Sequence, residues 1–439
     1  MNIRTTLQNT FYNTEPLTGK DYEYSRKMSI FEGCTARTVF NLTSGAFLAG
    51  YASFLGADDA FNGIIGAMPV LAGVMSLFSP IYFEKRDKRK LQVLLLNFLH
   101  RFILGLMVII PLISANAAPR LFLLGSFYLL AYMSIAFGNP ASSAILIDLT
   151  PTNIRGRYFS KRESFLLAVG IIVSLILGRV LDGFRDAGNE YGGFVVVFSV
   201  ILLFSFGNAA FWSQIKEPIV KRNRKTYSLK QIISIPVKNS GFRKIIIFFV
   251  LYNIGIQVGG PFFSVYMVTG LRLEYTYIMF MGMLSTFVNV ILVRVWGRIA
   301  DKKSWNFVLE YSIMLLGIVH FSWVFVSHST ALILVPLLHI VSGAAWAGIG
   351  ISTFNIQYIY SPEEGRTVYT GFNAALGGLM GFFGTLAGSL LLGIFDSLGL
   401  QLATLTIGGM QMLFLISGVM LMICAGYSHF FIKQPDTEG

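Results

Sequence analysis

The chain has 439 residues, of which 54% are hydrophobic and only 13% charged. A soluble domain carries about 25% charged residues to wet its surface, so a long chain with half that charge reads as a polytopic membrane protein. Two cysteines, Cys34 and Cys424, exclude a disulfide scaffold, and 14% aromatic residues exclude disorder.

The first 28 residues are polar and mixed in charge, and they are expected to form a cytoplasmic segment rather than a cleavable leader. Apolar segments near the roughly 20 residues needed to cross a bilayer then recur twelve times. They lie at 34–55, 61–83, 91–114, 121–147, 164–184, 193–214, 244–268, 275–297, 306–327, 331–357, 367–394 and 404–431. Most connections are very short, which makes consecutive helices antiparallel neighbours. One long connection, Ser213 to Arg243, divides the chain into two halves of six spans. The expected organisation is a cytoplasmic segment 1–28, a six-helix bundle 29–214, a basic cytoplasmic loop 215–243, a second bundle 244–432 and a cytoplasmic tail 433–439. Within the loop, Lys221, Arg222, Arg224 and Lys225 precede Ser228-Leu-Lys-Gln-Ile-Ile, a basic linker ending in a short amphipathic helix suited to the inner leaflet.

The net charge of +12 raises nucleic acid as a partner, and its distribution answers the question. With the N-terminus inside, cytoplasmic segments hold 28 of the 34 Lys and Arg, counting everything up to Arg37 with the N-terminal segment. The outer loops hold three, Arg120, Arg185 and Arg272. This bias places both termini in the cytoplasm and the chain in the cell membrane, and it accounts for the basic balance without nucleic acid.

Two halves of six spans also share motifs. Glu84-Lys85 between spans 2 and 3 is echoed 217 residues later by Asp301-Lys302 between spans 8 and 9. Pro151-x-x-x-Arg155-x-x-Tyr158 after span 4 is echoed 211 residues later by Pro362-x-x-x-Arg366-x-x-Tyr369 after span 10. A weaker echo, at 215 residues, links Gly45-Ala-Phe47 and Tyr51 with Gly260-Pro-Phe262 and Tyr266. Nearly equal offsets at equivalent places mark a parallel repeat, the organisation of transporters that bind substrate between two halves.

These loops resemble the signatures of the major facilitator superfamily. Gly297, Asp301 and Lys302 match its loop 2–3 pattern in the second copy, where Trp305 and Asn306 replace the basic pair. In the first copy Glu84, Lys85, Lys88 and Arg89 match, with Pro80 and Asp87 in place of the two glycines. Asp148-x-x-Pro151-x-x-x-Arg155-Gly156 resembles the loop 4–5 signature. The resemblance spans essentially the whole chain. It implies an all-α membrane fold of twelve helices in two pseudo-symmetric bundles, and transport by alternating access. It further implies a cytoplasmic gate in which Glu84 meets Arg366 and the start of span 11, while Asp301 meets Arg155 or Arg157 and the start of span 5. The plain alternative is that these charges only anchor helix ends, although an acid adds nothing to orientation.

In this superfamily spans 1, 4, 7 and 10 line the path. Helical spacing agrees, since each of these spans gathers polar residues on one face. Span 1 carries Asn41, Ser44 and Tyr51, and span 4 carries Tyr128, Tyr132, Asn139 and Ser143. Span 7 carries Asn253, Gln257 and Ser264, then Tyr266, with a kink expected at Gly259-Gly260-Pro261. Span 10 carries His339, Ser342, Trp346, Thr353 and Gln357. Lipid would penalise such faces, and a water-filled path would not. For an isolated Ser or Thr, bonding to its own helix is the simpler reading.

Arg101 lies near the middle of span 3, where a guanidinium costs at least about 2.5 kcal/mol and must face protein or water. It is read as an internal lock, with substrate anchoring as the alternative. Arg179 is a candidate for an anionic or hydroxylated group, or for a local pair with Asp182. No Asp or Glu stands mid-span, so proton coupling falls to His339, or to the edge carboxylates Glu32 and Asp148. Five glycines in span 11, Gly377, Gly378, Gly381, Gly384 and Gly388, prepare close helix packing.

The sequence thus points to a secondary active or facilitative transporter of a small, neutral or weakly charged organic solute. Protons are the candidate co-substrate, the bilayer is the one structural partner, and neither cofactor, metal nor oligomer is expected. Export of amphipathic drugs or lipids is the alternative. A membrane-embedded enzyme is more remote, because only Asp58-Asp59 resembles a metal-binding pair and no catalytic motif accompanies it.

Overall fold

The computed structural model describes residues 16–83, 86, 88–151, 153–218, 228–362, 366–398, 401–402 and 405–432. The gate residues Glu84 and Lys85, the basic run 221–225 and the tail 433–439 lie outside the described residues. Eleven helices among them are long and apolar enough to cross a membrane. They are spans 2 (Asp59–Leu77), 3 (Lys90–Ile113), 4 (Ala117–Asp148), 5 (Arg155–Asp186), 6 (Glu190–Gln214), 7 (Ser240–Gly270), 8 (Tyr275–Lys302), 9 (Trp305–Phe325), 10 (Ala331–Tyr360), 11 (Val368–Ser397) and 12 (Gly409–Phe431).

The expected first span is missing from this set because its helix is broken. It runs Gly19–Leu42 and resumes at Gly45–Phe54. Thr18 and Asp21 start it with a capping box, two short polar side chains satisfying orphan amides reciprocally. Gly45 permits the break, with φ at +56°, a left-handed conformation that any side chain would strain. The carbonyl exposed by the interruption is not left bare, since the Tyr128 hydroxyl donates to Thr43 O at 2.9 Å. Span 7 is interrupted at Gly260–Pro261, where proline has no amide to donate, and ends in a π-helical turn at Tyr266–Gly270.

The chain divides into two compact units. One comprises Met1–Gly56 and Ala72–Thr226, and the other Ala57–Leu71 and Tyr227–Gly439. In the first unit span 1 packs on spans 5 and 6, and span 3 on spans 4 and 6. In the second, span 7 packs on spans 11 and 12, and span 9 on spans 10 and 12. Adding six to each span number of the first set gives the second, so the motif repeat is accompanied by a repeated packing plan. Each unit has its own apolar core. Phe83, Val93, Ile145, Leu149 and Trp212 are central in the first. Phe242, Phe248, Ile313, Leu316 and Leu421 are central in the second.

The glycines of span 11 serve the contact with span 7. A Cβ at position 384 would stand 2.9 Å from Ile254 O, and one at position 388 would stand 2.4 Å from Val258 O. The short helix Leu229–Lys238 starts on a Ser228–Gln231 capping box and buries Ile232 and Pro236. Leu229, Ile233 and Val237, spaced four apart, stay exposed along its other side.

Candidate functional site

The first unit contains a buried ionic network on spans 1, 3, 5 and 6. Glu32 is buried on span 1. One carboxylate oxygen lies 3.7 Å from Arg101 Nη2, and the other accepts from Arg162 Nη2 at 3.1 Å. Asn208 of span 6 donates its amide to the Glu32 carbonyl at 3.0 Å and to its carboxylate at 3.3 Å. Arg101 also donates to the carbonyl and the side-chain oxygen of Asn97, one turn back in its own helix. One carboxylate therefore serves two guanidiniums, which is how a buried charge cluster avoids an isolated ion. The start of span 5 is tied to span 1 alongside it. Arg162 Nε donates to Ser29 O, and the Tyr158 hydroxyl donates to Arg26 O while also meeting the Ser29 hydroxyl.

Tyr51 and Tyr128, read from the sequence as path-lining, are fully buried within this unit. Their hydroxyls donate to Met107 O and Thr43 O. Tyr132 stacks obliquely on Tyr128 and edge-on to His100. Asn41 is half-buried against Gly170 of span 5, whereas Asn139 and Arg179 are exposed. Asp182 pairs with Arg185 at 3.4 Å rather than with Arg179. Asp148 ends span 4, half-buried. Arg155 donates to Thr150 O, and Arg157 is exposed.

In the second unit Asn253 and Gln257 face the glycines of span 11. A Cβ at 377 would meet Asn253 Nδ2 at 2.7 Å, and one at 381 would meet Gln257 Cγ at 3.1 Å. His339 and Tyr266 join an aromatic cluster formed by Phe263, His320, Trp323 and Phe414. The Tyr266 hydroxyl donates to Val326 O at 2.7 Å. His339 Nδ1 donates to Val335 O, since a carbonyl can only accept. His320 Nδ1 lies 2.7 Å from Ser417 Oγ, which itself donates to Gly255 O, so this imidazole also carries its proton on Nδ1. Trp346 is exposed, as are Asp301 and Lys302 at the end of span 8. The Arg366 guanidinium lies 4.8 Å above the Tyr358 ring. Asp58 accepts from Phe61 N at the start of span 2, and Asp59 accepts from Thr269, so both serve helix packing.

Outside the spans, Glu217 accepts from Arg89 N and Lys90 N at 2.9–3.0 Å, a carboxylate at the positive end of span 3. Burial raises its carboxyl above the ordinary range, against the pull of those amides. Asp21 is held well below that range, first by Lys216, whose ammonium lies 2.6 Å away.

Sequence reasoning missed Arg37, Arg162, Asn208 and Glu217. The first two were legible only as orientation charges, although Arg37 stands inside span 1 and Arg162 two residues before the expected start of span 5. Asn208, a lone amide in an apolar run, was the available signal for span 6.

The sequence profile of the Major Facilitator Superfamily matches residues 33–385. No curated protein matches the chain. Among solved structures, a variant of the nucleoside transporter NupG is 14% identical, with a TM-score of 0.69 over 94% of this chain and 100% of that one. A D-xylose–proton symporter is 14% identical, with a TM-score of 0.69 over 94% and 98%. A bacterial homologue of the iron transporter ferroportin is 12% identical, with a TM-score of 0.68 over 94% and 98%. Identities this low carry the fold alone, and together with the profile they point to a transporter rather than an enzyme. On the profile match, the chain belongs to the Major Facilitator Superfamily.

Proposed function

We propose that this protein is a secondary transporter moving a small organic solute, neutral or weakly charged, across the cell membrane by alternating access of its two halves. One observation carries the reading. Four carboxamides within apolar spans, Asn41, Asn139, Asn253 and Gln257, stay exposed or half-exposed, a placement that lipid penalises and a hydrated path rewards. With Tyr51, Tyr128, Tyr132, Arg179, Tyr266, His339 and Trp346 they make the proposed solute-binding set, the buried tyrosines acting by holding the helix positions. Glu84, Lys85, Arg155, Arg157, Asp301, Lys302 and Arg366 make the proposed cytoplasmic gate, beside two cytoplasmic termini. Glu32 leads His339 and Asp148 as the coupling group, because a proton on it would release two guanidiniums at once. The functional unit is the monomer.

The test is thermal unfolding of the detergent-purified protein against sugars, sugar acids, amino acids, cationic drugs and lysolipids at two pH values. A ligand at a hundred times its dissociation constant adds about 2.7 kcal/mol. A hydrophilic hit whose affinity changes with pH supports the proposal. Hits confined to cationic or acyl-chain compounds would replace it with an exporter or lipid mover.

A further inference from the structure

Span 1 carries a second cation that the ionic network leaves out. Glu32 is already shared between Arg101 and Arg162. Arg37, five residues on, makes neither an ion pair nor a hydrogen bond among the described residues, and its Nε is buried without an acceptor. Asn41 follows one turn later and likewise makes no hydrogen bond there. The two side chains lie together over Gly170 of span 5. A Cβ at that glycine would stand 3.0 Å from Asn41 Nδ2 and 3.2 Å from Arg37 Cγ, so the missing side chain is what gives them room. Both residues are half-buried, and Phe40 beside them is exposed, its ring 5.8 Å from the Arg37 guanidinium. The face is therefore open, rich in donors and positive, and no acceptor answers it among the described residues.

Such a face has a definite chemical complement. A buried Nε–H without a partner is costly, and an oxyanion bridging Nε and a terminal nitrogen of one guanidinium removes that cost with two charge-assisted bonds. A neutral hydroxyl supplies one weaker bond and leaves the charge uncompensated within a membrane span. We propose that Arg37 and Asn41 receive a carboxylate or phosphate carried by the transported molecule, so that its weak charge is a negative one. This rests on the transport reading and narrows its substrate class.

The experiment measures thermal unfolding of the purified full chain in sodium phosphate against sodium chloride at matched ionic strength. It is repeated with glycerol 3-phosphate and with its acylated form, lysophosphatidic acid, on the natural chain, Arg37→Gln and Arg37→Lys. The expected result is an anion-specific rise in the midpoint, with affinity weakened about tenfold or more in Arg37→Gln and less in Arg37→Lys, which keeps the charge and loses the fork. A rise with glycerol 3-phosphate assigns a soluble organic anion, and a rise only with the acylated compound assigns a lipid headgroup. The absence of any anion-specific rise in the natural chain overturns the proposal, as does an equal rise in Arg37→Gln. Should Arg37→Gln not fold, Asn41→Ala takes its place, and an anion-specific rise there as large as in a Lys27→Gln control overturns the proposal. A neutral solute bound without dependence on Arg37 would remove the anion and leave transport standing.

Discussion

Arg162 reaches Glu32 at 3.1 Å across 130 residues of chain, and Arg101 approaches the same carboxylate from span 3. Replacing Glu32 by Ala takes the carboxylate from the buried Arg101 and the partly buried Arg162, and breaking a buried ionic cluster costs up to about 3–5 kcal/mol. The unfolding midpoint of the purified protein should drop sharply. The double variant Glu32→Ala with Arg162→Ala should lose clearly less than the sum of the single losses. Additive losses would show that the pair is not coupled.

The seam between spans 7 and 11 is tested by paired substitutions. Gly388→Ala drives a methyl group to 2.4 Å from Val258 O, whereas nothing lies within 4 Å of a Cβ at Gly393. The first should destabilise by about 1–3 kcal/mol. The second should gain up to about 1 kcal/mol from helix propensity. Equal effects in thermal unfolding would contradict the close approach.

Tyr128→Phe removes the donor that satisfies Thr43 O at the break in span 1. The stranded carbonyl should cost about 1–3 kcal/mol, although the ring itself still fits. Amide exchange around residues 40–46 should accelerate as well, and unchanged exchange there would argue that the break is held by other contacts.

The two carboxylates outside the spans, Glu217 and Asp21, make opposite pH predictions. Burial raises the Glu217 carboxyl, so the native state holds that proton more tightly than the unfolded chain does. Its stabilisation is fully present below the unfolded value of about 4.3 and is lost as pH rises through the higher native value. The midpoint difference between the natural chain and Glu217→Gln should therefore move in favour of the variant between about pH 4 and pH 7. Asp21 is lowered, so its contribution is present above about 3.9 and fades as pH falls. The penalty of Asp21→Asn should accordingly shrink in acid. A shift in the same direction for both variants would contradict the assignment.

Hydropathy located the later spans because a bilayer demands one long apolar helix per crossing. It did not show the break in span 1, where Thr43, Ser44 and Gly45 look like ordinary small residues within an apolar run. The kink at Gly260–Pro261 was legible because proline cannot continue the backbone ladder. The span 11 glycines announced a close neighbour without naming it, since a missing side chain says how near a partner lies and not which one. Counting charges by loop hid Arg37 and Arg162, because a tally of orientation signals does not ask whether a guanidinium has an acceptor. Asn208 went unread because polar faces were sought on the spans expected to line a path, whereas its amide is spent inside the bundle.

The broken first span has an electrical consequence. A continuous helix keeps its peptide dipole ends at the two membrane surfaces, but this one ends at Leu42 and begins again at Gly45. The interruption brings about half a negative charge from one segment and about half a positive charge from the next within a few residues of each other. The first span thus carries a fixed, pH-independent polarity of its own, written in backbone amides and carbonyls and separate from the Glu32 carboxylate that meets Arg101.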